Sequence, residues 1–149
     1  MGADLFIRPV FEEQRSKWEK HFELAVARRN RLQRGTAAYD AAQQRVDFCY
    51  EKLYERGYFR DPYNDWDLLW NFGLSWWTDV IPRLDDEGRL SVEDTKKLLA
   101  LLREREPTFE ANVSKSSAED QQYFRERYRR LQRFLEEAIQ LDEPVECSL

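Results

Sequence analysis

Four of the chain's five tryptophans lie between positions 66 and 77. At 100° per residue, a helix over 65–81 puts Trp66, Trp70, Gly73 and Trp77 on one line. Leu69, Phe72, Trp76 and Val80 fall beside that line, and Leu74 and Ile81 close the other flank. The apolar arc then covers roughly 200° of the circumference, against the ~100° stripe of an ordinary surface helix. Such a helix must be covered on several sides. The pattern therefore predicts a central post in a helical domain, with Trp66, Trp70 and Trp76 buried. The opposite stripe is polar, with Asp67, Asn71, Ser75 and Thr78, and Asp67 and Ser75 are expected on the accessible side.

Other helices follow from the same spacing. The first is predicted over 12–34, burying Trp18, Phe22, Ala25, Arg29 and Leu32, with Gly35 suited to the C′ position and Thr36 to the next N-cap. A second, over 37–56, carries the stripe Tyr39, Ala42, Val46, Cys49 and Leu53. Ser91 followed by Asp94 opens a third, to about 105, whose inner face is Val92, Thr95, Leu98, Leu99 and Leu102. Pro107 begins a short piece with Phe109 and Val113. Ser116 and Ser117 offer caps for a last helix to about 141. Residues 3–10 and 143–149 have extended composition, so the termini are expected close together, paired or docked. The fold class expected is mostly α: one helical domain over 1–149, a bundle of about five helices around the tryptophan-rich helix, with short extended termini able to pair.

At 149 residues the chain fits one domain and buries enough surface to need no staple. Its aromatic content of 14% argues against intrinsic disorder. A net charge of −5 opposes general nucleic-acid binding, which rests on neutralising phosphates. Cys49 and Cys147 make no disulfide framework. No basic start followed by an apolar run is present, nor an apolar stretch near the ~18 residues of a membrane span. No membrane association and a cytoplasmic address are the expectation.

The residues that carry chemistry are few. Asp61, Asn64, Asp65 and Asp67 invite a calcium reading, but their spacing does not match an EF-hand loop; capping of a helix start explains them better. Aligning Gly88 with the sixth position of such a loop puts Arg83 where the first carboxylate is needed, so 84–90 is read as a surface turn. His21 is the only histidine, which excludes zinc sites built on several imidazoles. A hairpin folding near Gly35 brings His21 level with Cys49. A cysteine on the core stripe is nevertheless better read as buried than as a nucleophile. No catalytic residue, metal ligand or cofactor is assigned.

Two surfaces remain as candidates. Asp67, Asn71 and Ser75, with Trp70 at their margin and Tyr63 folding over the same end, have the character of a small-ligand pocket or of a plain solvent face. Arg125, Arg129, Arg130 and Arg133 lie in a basic run that serves either as a salt-bridged face or as a dock for an acidic partner. The expected function is a non-catalytic protein–protein interaction module of adaptor, regulatory or immunity-like kind, with a homodimer left open. The rival is a ligand-binding or enzymatic domain with a pocket near Asp67 and Trp70.

Overall fold

A helix needs its first turn to tolerate missing amide donors, and proline lacks one to begin with. That is why the first helix starts earlier than its apolar spacing suggests. In the computed structural model, which describes residues 1–64 and 66–149, α1 spans Arg8–Asn30 with Pro9 in its opening turn. The described residues divide into two compact units, Arg8–Tyr58 and Met1–Ile7 with Phe59–Leu149.

The first unit is a helical hairpin of α1 and α2 (Ala37–Leu53). Gly35, at φ +83°, lets the chain reverse, and the Thr36 hydroxyl accepts from the Tyr39 amide at 3.2 Å to start α2. The helices run antiparallel. Gln14 Nε2 donates to the Lys52 carbonyl at 2.6 Å near one end, and Arg29 Nη1 donates to Gln43 Oε1 at 2.9 Å near the other. Ala25, Val46 and Cys49 form the core between them, with Trp18, Phe22 and Val26 packed against it.

In the second unit, strands β1 (Gly2–Phe6), β2 (Tyr58–Pro62), β3 (Arg89–Leu90) and β4 (Val145–Ser148) form one sheet in the order β2-β1-β4-β3. The two terminal segments pair directly, antiparallel, with Leu5 opposite Cys147. Alternation is clean: Ala3, Leu5, Phe59, Asp61, Leu90 and Val145 are buried while Arg60 is exposed. Helices α3 (Val92–Glu104), α4 (Glu106–Val113) and α5 (Ala118–Gln140) supply the remaining core. Ser91 and Ser117 cap α3 and α5 by accepting from Asp94 and Asp120 amides. Phe72, Phe109 and Tyr128 close an aromatic centre, with the two phenylalanine rings stacked at 4.5 Å.

The chain is mostly helical, 65% of it, with a small antiparallel sheet, but the central post does not form. Residues 66–83 break into a 3-10 turn (Leu69–Phe72), a π turn (Trp76–Val80) and a second 3-10 turn (Ile81–Arg83). The cause is local. Gly73 takes φ +67° and ends the first turn, and Ser75 is extended at ψ 140°. Side chains then compete with the helix for backbone donors. Asp67 Oδ1 accepts from the Leu69 amide at 2.9 Å, Ser75 Oγ from Trp77, and Asp79 Oδ2 from Ser75. The expected burial fails with it: only Trp76 is inside, at 1% exposure, whereas Trp66, Trp70 and Trp77 stand 42%, 75% and 56% exposed.

Candidate functional site

The anchor of the tryptophan segment is Asp61, a buried carboxylate at the end of β2. Its oxygens accept from the Leu68 amide at 2.9 and 3.1 Å, and Oδ2 accepts from Trp76 Nε1 at 2.7 Å. One side chain thus ties the 3-10 turn and the π turn to the sheet. Burial raises its pKa to about 7 against the lowering pull of those hydrogen bonds, and the charge of Asp67 adds to the rise. With no exposure and both oxygens occupied, Asp61 reaches no solvent-borne substrate. Sequence reasoning saw it only as part of an acidic cluster, because nothing in the spacing of Asp61 and Trp76 announces their hydrogen bond.

Residues between β2 and the end of the π turn also line an open groove of about 350 Å³. Tyr63, Asp67, Trp70 and Asn71 line it together with Asn64 and Trp77. Four of the five residues singled out for ligand binding therefore meet in one place. Ser75 does not; it is occupied with the Trp77 amide and with Asp79. The Tyr63 and Trp77 rings pack at 5.5 Å, and the Tyr63 hydroxyl is buried with no hydrogen-bond partner among the described residues. Burial, then the charges of Asp67, Asp4 and Asp61, raises the pKa of that phenol. Asn71 is fixed from two sides, its backbone carbonyl accepting from Asn112 Nδ2 at 2.9 Å and its side-chain Nδ2 donating to the Asp67 carbonyl at 3.4 Å. The acidic cluster acts as caps: Asn64 Oδ1 accepts from Trp66, and Asp67 Oδ1 from Leu69 and Trp70. Asp65, the fourth member, lies outside the described residues.

The arginine run separates. Arg129, Arg130 and Arg133 line a second groove of about 460 Å³ on α5, with Tyr123, Glu126 and Arg127. Arg125 turns away and pairs with Glu110, Nη2 to Oε2 at 2.8 Å, and with Gln121. Arg127 lies over the Phe59 ring, 4.4 Å from its centroid. Trp66 and Tyr123 meet edge to face at 5.1 Å, so an exposed indole adjoins this groove. In the helical hairpin, His21 is exposed beside Trp18, while Cys49 is fully buried in the core. Segment 84–90 forms the expected turn, with Asp85 accepting from the Glu87 and Arg89 amides.

Among the described residues no group of three or more His, Cys, Asp or Glu is arranged to hold a metal ion, and no helix is long and apolar enough to cross a membrane. Comparison with protein-family models, curated proteins and solved structures gave no match to this chain.

Proposed function

We propose that this protein is a non-catalytic interaction module, adaptor, regulatory or immunity-like, that presents residues 63–77 to a macromolecular partner. The observation that carries this reading is the exposure of Trp66, Trp70 and Trp77 on one short segment that Asp61 holds in place. Large indole surface left in water is costly, and tryptophan, tyrosine and arginine are the residues most enriched where partners bind tightly. The α5 arginines, joined to the segment through Trp66 and Tyr123, extend the surface with charge that speeds encounter. Both cysteines are free, which accords with a reducing compartment such as the cytoplasm.

The test is capture from the native cell by the immobilised protein, followed by reconstitution of the recovered partner with purified chain. A partner that binds stoichiometrically to the parent, and not to Trp70→Ala/Trp77→Ala, supports the module. A second reading, a small-ligand pocket, draws on the 350 Å³ groove, whose size suits a small molecule. Its openness favours a side chain carried by a larger partner. A metabolite retained through dialysis, or turnover lost in Asp67→Asn with no partner recovered, reverses the order of the two.

A further inference from the structure

We propose that the groove of Tyr63, Asp67, Trp70 and Trp77 receives a cationic side chain, an arginine carried by a basic polypeptide segment. The inference rests on the interaction reading above and names the chemistry of what the groove takes. Residues 61–82 hold four aspartates and no lysine or arginine. Among the described residues, Asp61, Asp67 and Asp79 form no ion pair, whereas carboxylates elsewhere meet cations, as in Asp85–Arg89, Glu110–Arg125 and Glu136–Arg103.

Of the three, Asp61 spends both oxygens on buried donors, and Asp79 holds the Ser75 amide and the Thr78 hydroxyl through Oδ2, away from the groove lining. Asp67 differs. Its Oδ1 takes the Leu69 and Trp70 amides, its carboxylate also shares a hydrogen bond with the Asp61 carboxyl, and of the three it is the one that lines the groove. Around it stand two exposed indoles and the Tyr63 ring, whose π faces are electronegative. A carboxylate with no cationic partner, set among aromatic rings, attracts cations and repels anions. Arginine fits better than lysine, because its planar, weakly hydrated guanidinium stacks on an indole while still donating in plane to a carboxylate. The open mouth suits a side chain that stays attached to its backbone.

The probe is the peptide acetyl-Gly-Arg-Gly-Arg-Gly-amide, titrated at low salt while tryptophan emission is followed. Citrulline, neutral and of nearly the same shape, replaces arginine in one control, and glutamate in another. The proposal expects saturable binding of the arginine peptide, at least roughly fivefold weaker binding of the citrulline peptide, and none of the glutamate peptide. Asp67→Asn keeps the Oδ1 acceptor for the Leu69 and Trp70 amides, so near-ultraviolet dichroism should match the parent while binding of the arginine peptide falls by a similar factor. Trp70→Ala should abolish the emission response. Equal binding of arginine and citrulline peptides, no response to the arginine peptide at all, or full binding by Asp67→Asn overturns the cation site. Those failures leave the interaction reading to its own test, since a partner lost from Trp70→Ala/Trp77→Ala would still implicate the surface.

Discussion

Asp61 is the point at which a single substitution should unmake the exposed segment. In Asp61→Ala the Leu68 amide and Trp76 Nε1 lose their acceptor inside the protein. Each stranded donor costs about 1–3 kcal/mol, so the loss should be about 2–6 kcal/mol, a large share of a domain's stability. Asp61→Asn keeps one acceptor and removes the titration. A carboxyl whose pKa rises from 3.8 to about 7 on folding adds stability that is complete below about pH 4 and is lost as pH climbs through 7. The full amplitude is about 4 kcal/mol, of which about 3 kcal/mol falls between pH 4.5 and pH 8. The stability gap between parent and Asp61→Asn should therefore shrink by about that amount between pH 4.5 and pH 8. Urea unfolding at both values, followed by tryptophan emission, measures it. A gap that does not change with pH, or an alanine variant within about 1 kcal/mol of the parent, would refute the reasoning.

Exposure separates the tryptophans and their neighbours: Trp70→Ala should leave the melting temperature nearly unchanged, whereas Phe72→Ala, which empties the stack with Phe109 and Tyr128, should cost about 3–5 kcal/mol. Burial pushes the Cys147 thiol up to about 12, and Glu146 adds to it, so alkylation by iodoacetamide at pH 8 should run roughly a thousandfold slower than for a free cysteine until urea unfolds the chain. Reversing charge in Arg129→Glu/Arg130→Glu should weaken partner capture more at low than at high ionic strength; equal capture at both would remove α5 from the surface.

Long, regularly spaced elements were legible in the sequence. Helices α2, α3 and α5 sit within a few residues of their apolar stripes, and the extended termini pair as their composition allows. Their caps, Thr36, Ser91 and Ser117, act locally and so are written locally. The tryptophan segment was misread for an equally local reason. Its 3.6-residue spacing promised one helix, while Gly73, Asp67 and Ser75 each favoured a break, and the breaks prevailed. The groove residues were nevertheless named, because Tyr63, Asp67, Trp70 and Asn71 are close in sequence and a tight turn gathers them as readily as a helix face would. What stayed hidden is long-range: Asp61 beneath Trp76, and Asn112 against Asn71.

The central claim is that residues 63–77 are where this protein meets its partner. Amide exchange of the reconstituted complex against the free chain tests it most directly. The account predicts protection concentrated over 63–77, extending at most to the neighbouring turns of α5, and absent from the complex attempted with Trp70→Ala/Trp77→Ala. Protection confined to the helical hairpin of α1 and α2, with 63–77 exchanging as fast as in the free protein, would contradict it.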